Sequence, residues 1–123
     1  MSSHSTTLIQ DIKTRFEAEQ AQAEDLYAFL NRFRDWFNRY CVNYEIYLED
    51  NWFDDKTTIE YTFRCKDTLE ILVFAEDEYQ NHRDEKGVWH LGDYVKTYWT
   101  IDEPWEAFER FFQDNPLPLA AST

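Results

Sequence analysis

The chain is expected to fold as an α+β domain. The plan is an N-terminal helix or helix pair, an antiparallel sheet of about five strands and a C-terminal helix, with the helices packed on one face of the sheet. Three observations predict it. Apolar residues recur every three or four positions as far as Tyr40, then every second position after Cys41. The alternating segments follow one another through short connections, which implies an antiparallel meander. A last amphipathic segment opens at Pro104 and ends at Asn115-Pro116, where proline suits a first helical turn and disfavours a continuing one.

Leu8 to Tyr40 contains neither glycine nor proline, and Phe16 to Glu24 is almost wholly made of good helix formers. Ser5, Thr6 or Thr7 can supply the N-cap. Ile9, Ile12, Phe16, Glu19, Ala23, Leu26, Leu30, Phe33, Phe37 and Tyr40 form a seam with one polar member, Glu19. Tyr27, Phe29 and Trp36 widen its second half, as suits a helix lying on a sheet. One unbroken helix here would be roughly 50 Å long. A compact domain of this size is only about 35 Å across. The seam is weakest at Glu19 and Ala23, so a break is expected near Gln20–Asp25. The alternative is a protruding arm that forms a homodimer through Ile9, Ile12 and Phe16.

Tyr44, Ile46 and Leu48 alternate with Glu45, Tyr47 and Glu49 as a strand. Asp50 to Lys56 reads as a polar turn. Thr57 to Lys66 is the cleanest alternation, Lys66-Asp67-Thr68 a hairpin turn, and Leu69 to Ala75 a third strand. Glu76 to Gly87 is expected to be a polar loop. Val88 to Leu91 is a short strand, Gly92-Asp93 a turn and Tyr94 to Ile101 a fifth strand. In the last helix, capped by Asp102 or Glu103, Trp105, Phe108 and Phe112 share a face. The domain is expected over residues 1–115, with 116–123 as a flexible tail.

Composition narrows the function. Aromatics are 19% of the 123 residues, which argues against disorder. The formal charge is −13, and residues 42–123 carry nearly all of it, with 7 bases against 19 acids. Direct binding to nucleic acid or to an anionic membrane needs cationic groups and is disfavoured. No basic leader precedes an apolar core, and no apolar run approaches the roughly 20 residues of a membrane span. A cytoplasmic location is therefore expected, with Cys41 and Cys65 as reduced, buried thiols.

Catalytic and cofactor motifs are not found. There is no G-x-S-x-G elbow, and Gly87 and Gly92 cannot make a phosphate loop. Asp50 to Asp55 lacks the ligand alternation of a calcium loop, and His82 with Asp84 and Glu85 has no further ligand at metal-site spacing. No cofactor, metal or catalytic residue is assigned.

The expected function is therefore a non-enzymatic acidic protein that docks on a basic protein partner, as an inhibitor, nucleic-acid mimic, immunity factor or adaptor does. That partner could itself be a nucleic-acid-binding protein. Carboxylates beside aromatic anchors suit such a surface. The candidate partner-binding residues are Asp50, Trp52, Asp54 and Asp55 in one segment, and Glu76, Asp77, Glu78, Tyr79, Asp84 and Glu85 in the other. Two alternatives remain open. One is a small-molecule-binding or enzymatic α+β cone with a cavity lined by Tyr61, Phe63, Tyr94, Tyr98, Trp99, Phe33 and Phe37. The other is an assembly or secretion chaperone, dimeric through the first helix.

Overall fold

The computed structural model describes residues 3–116. Three helices and four strands follow in order: α1 (Ser3–Gln22), α2 (Leu26–Tyr40), β1 (Tyr44–Trp52), β2 (Lys56–Cys65), β3 (Ile71–Arg83), β4 (Trp89–Trp99) and α3 (Pro104–Asp114). The expected tail at 117–123 lies outside the described residues.

The N-terminal helix breaks where the seam is weakest, leaving α1 and α2 as an antiparallel hairpin. Ser5, Thr6 and Thr7 lie inside α1 rather than ahead of it. Ala23 N–H still donates to Glu19 O at 3.0 Å. Asp25 then adopts extended backbone and accepts the Ala28 N–H on Oδ1 at 2.8 Å, starting α2. Glu19, the polar member of the seam, is buried. Arg15 Nε donates to its Oε2 at 2.9 Å. Arg32 Nε, from α2, lies 3.1 Å from Oε1 but off the hydrogen-bond direction. A buried charge needs such partners, and here they tie the two helices together. Tyr40 O–H donates to Asp11 Oδ2 at 2.8 Å at the other end of the hairpin.

No protruding arm is built. Ile12 and Phe16 are buried in the chain's own core, and the Phe16 ring meets Phe29, Phe33, Trp99, Trp105 and Phe108.

The sheet is one antiparallel meander in the order β1-β2-β3-β4. It has four strands rather than about five, for two reasons. Glu76–Arg83, expected as loop, continues β3. The two expected strands on either side of Gly92-Asp93 are one strand, β4. Gly92 makes no turn. It sits opposite a register shift between Gln80 and His82, and a Cβ there would overlap the Gln80 carbonyl oxygen. Glycine permits this close backbone approach within the ladder.

Side chains alternate across the pleat. Tyr61, Phe63 and Cys65 of β2 project into the aromatic core. Phe63 lies 5.0 Å from Phe37 of α2 and 5.2 Å from Phe108 of α3, between ring centroids. α3 buries Trp105, Phe108 and Phe112, as its spacing predicts. Glu103 holds the cap position in the left-handed region at φ 46° and makes no side-chain cap bond, contrary to its expected role. The opposite, C-terminal end of the helix is anchored by Tyr44 O–H donating to Asn115 O and Thr68 O–H to Asn115 Oδ1, each at 2.6 Å. Cys41 and Cys65 are free and buried. Burial pushes the Cys41 thiol up to about 12. No described helix is long and apolar enough to cross a membrane.

Candidate functional site

The strand register divides the predicted acidic residues between the two sides of the sheet. Glu76, Asp77 and Glu78 are consecutive in β3, so Asp77 points opposite to its neighbours. Asp77 pairs with Ile59 and Thr97, while Glu76 pairs with Glu60 and Tyr98. Asp50 and Trp52 share Asp77's side, because Asp50 pairs with Ile59 and Trp52 with Thr57. Tyr79 lies on that side too, opposite Thr57 and Tyr94.

On the other side, three carboxylates face one another across adjacent strands. Glu49 pairs with Glu60, and Glu60 with Glu76. Neighbouring strands lie about 4.8 Å apart, so the row is about 10 Å long. Like charges directly opposite destabilise a sheet. Among the described ion pairs, none involves these three residues or Glu78. Glu76 instead accepts a 2.5 Å hydrogen bond from Tyr98 O–H, and that bond is the main reason the hydroxyl is pushed up to about 12. Arg64, in another row, contacts Glu45 across the strands.

On the inner side, Asp77 is buried. Its Oδ2 accepts from Tyr61 O–H at 2.9 Å and its Oδ1 from Thr97 O–H at 2.6 Å. Thr97 has a single hydroxyl hydrogen, already committed to Asp77. Tyr94, 2.7 Å away, must therefore donate to Thr97. Asn31 Nδ2 closes the chain, donating to Tyr27 O at 2.8 Å and to Tyr61 Oη at 3.4 Å. Burial, then the Asp77 hydrogen bond, raises the Tyr61 hydroxyl well above its ordinary range.

Tyr27 and Tyr94, the ends of this chain, border a pocket of about 240 Å³ with Tyr79 and Asp25. Tyr27 and Tyr94 meet at 5.4 Å and 63°, Tyr79 and Tyr94 at 5.8 Å and 73°. The cap bond of α2 places Asp25 at this edge. Sequence pattern does not mark Asp25 and Tyr27 as site residues, because Tyr27 and its ring partner Tyr94 are far apart in the chain. The one local signal is Asp25 itself, a residue type that favours helix N-caps.

The remaining candidates sit at the hairpin ends. Trp52 and Phe53 stay half exposed. Asp54 and Asp55 are exposed, and their carbonyls are held by Asn81 and Gln80 side chains of β3. Asp84 and Glu85 lie in the β3–β4 turn. Asp84 Oδ1 accepts from the Lys86 and Val88 N–H groups, and its Oδ2 lies 2.7 Å from His90 Nε2. The His90 bond is the main cause of its lowered pKa. His82 does not join this cluster; its ring stacks on His90. Asp84 thus shapes a turn, while Glu85 is exposed.

The expected aromatic cavity does not gather as a unit. Phe33, Phe37 and Phe63 pack on one another and on Phe108 in the core. Tyr98 lies across the sheet from them, beside Glu76. The chain matches no family model, no curated protein and no solved structure.

Proposed function

We propose that this is a non-enzymatic acidic binding protein that docks on a basic protein surface, in the manner of an inhibitor, nucleic-acid mimic, immunity factor or adaptor. The observation that carries the proposal is the row Glu49–Glu60–Glu76, with Glu78 beside it. Directly opposed carboxylates cost the sheet stability, and a cationic partner would remove that cost on binding. We further infer that all three helices lie over the opposite face and leave this one open. The aromatic contacts of Phe63 and Phe74 with α2 and α3 support that arrangement.

On this reading some of the predicted residues take part and others do not. Glu76 and Glu78 stay in the docking face, and Glu49 and Glu60 join them. Asp77 leaves it, being buried. Asp54, Asp55, Glu85 and the exposed Trp52 would form a rim at the hairpin end.

The test is affinity capture at low salt with the wild-type chain and a Glu49→Lys, Glu60→Lys, Glu76→Lys variant. Recovery of a cationic protein that the variant loses, with affinity falling steeply as salt rises, supports the proposal. A partner retained by the variant, or bound independently of salt, overturns it.

A further inference from the structure

We propose that the pocket bounded by Tyr27, Tyr79, Tyr94 and Asp25 binds an organic cation, an alkylated ammonium or guanidinium head. This site lies on the opposite side of the sheet from the carboxylate row and stands independently of it.

Three features make the pocket suit a cation. Its walls are three tyrosine rings from α2, β3 and β4, meeting at steep angles like adjoining sides of a box. Ring faces are electron-rich, and a cation within about 6 Å of several centroids gains from each. Asp25 supplies a carboxylate at the edge, held in place by its bond to the Ala28 N–H. Asp77 adds a second negative charge behind the rings. Its influence reaches Tyr79, whose hydroxyl is raised first by burial and then by Asp77.

The Tyr94 wall is also held in place before any ligand arrives. Tyr94 donates to Thr97, Thr97 to Asp77 and Tyr61 to Asp77, while Asn31 bonds Tyr61 and the Tyr27 carbonyl. A preorganised pocket loses less conformational freedom on binding. At about 30 Å³ per water-sized group, a volume of about 240 Å³ holds a trimethylammonium or guanidinium head with part of its stem. A neutral alkyl group of the same size would gain nothing from the ring faces' charge or from the nearby carboxylates.

The cation could be a free small molecule or a side chain of a protein, and the experiment separates them. Tyrosine ring resonances are followed by NMR while choline, its neutral carbon isostere 3,3-dimethylbutan-1-ol, and blocked trimethyl-lysine and arginine amino acids are added. The expected result is saturable shifts confined to Tyr27, Tyr79 and Tyr94 with the cations, at least tenfold weaker with the neutral isostere. Choline binding as well as the blocked amino acids indicates a free metabolite. Preference for a blocked amino acid indicates a protein side chain. Asp25→Asn keeps the helix cap and should weaken binding several-fold. Tyr94→Ala removes a wall and should weaken it roughly tenfold, while Tyr94→Phe, which keeps the ring, should largely retain it. Equal binding of the neutral isostere, unchanged affinity in Asp25→Asn, or no saturable shift at tens of millimolar cation overturns the proposal. None of these outcomes depends on Glu49, Glu60 or Glu76.

Discussion

Thr97 Oγ1 lies 2.6 Å from Asp77 Oδ1 and gives it its only hydroxyl hydrogen. That single commitment orders a polar chain inside an otherwise aromatic protein. It forces Tyr94 to donate in turn, and it leaves the buried Asp77 carboxylate with two hydroxyl donors, Thr97 and Tyr61.

Removing the acceptor should therefore cost more than removing one donor. Asp77→Ala takes the acceptor away from the buried Tyr61 hydroxyl and the half-buried Thr97 hydroxyl at once, and is expected to destabilise the fold by about 2–4 kcal/mol, against roughly 1–3 kcal/mol for Tyr61→Phe. Urea denaturation of both variants measures the difference. An Asp77→Ala variant as stable as wild type would show that the network contributes nothing to folding.

The carboxylate row predicts a stabilising substitution. Glu60 is opposed by Glu49 on one side and Glu76 on the other. Glu60→Thr suits a central strand and removes both repulsions, so it should raise stability by about 0.5–1 kcal/mol. The gain should shrink as salt screens the wild-type repulsion. A loss of stability would mean that the glutamate makes favourable contacts outweighing its neighbours' charge.

Alkali should unfold the protein through identifiable groups. The Tyr98 hydroxyl, bonded to Glu76, and the buried Cys41 thiol are both pushed up to about 12 from ordinary values near 10 and 9. The Tyr40 hydroxyl, bonded to Asp11, is raised to about 12 as well. A folded pKa above the unfolded one gives stability that is complete below the unfolded pKa and lost as pH climbs through the folded one. The denaturation midpoint should thus hold steady from about pH 7 to 9 and fall between about 10 and 12. Tyr98→Phe should flatten part of that fall. An identical profile would remove the Glu76 bond from the account.

Backbone strain predicts another gain. Leu69 sits in the β2–β3 turn at φ 66°, a region its side chain disfavours, and it is 68% exposed. Leu69→Asn removes the strain and little packing, and should stabilise by about 1 kcal/mol. Thermal denaturation of this variant beside Leu69→Ala, which keeps the strain, tests the cause. Equal melting temperatures would point to exposure rather than φ.

Much of the fold is legible in local pattern. The break before Asp25 follows from a weak seam and a capping residue, both visible within a few positions. β2 shows plainly because Tyr61, Phe63 and Cys65 enter the aromatic core while Glu60 and Arg64 point away from it. β3 hides beyond Ala75 because both its sides are polar there. Glu76 meets Glu60 and Tyr98, and Glu78 meets Thr58 and Lys96, while Asp77 meets Tyr61 and Thr97. Alternation of hydrophobicity vanishes when a strand's inner side is hydrogen-bonded rather than greasy. Gly92-Asp93 has the composition of a turn, but the glycine answers to the backbone of Gln80, which no neighbouring residue reveals.

Charge excess, helix faces and the period of the strands are properties of nearby residues, so the chain declares them unaided. Partnership across strands is not local. Whether Glu60 meets a lysine or two more glutamates depends on register, and whether Asp77 faces solvent or Tyr61 depends on the pleat. One residue of slip would exchange the two sides of β3. The acidic character is therefore readable from composition, whereas its division into an opposed row and a buried anchor comes from packing that joins residues 16 to 20 positions apart, such as Tyr61, Asp77 and Thr97.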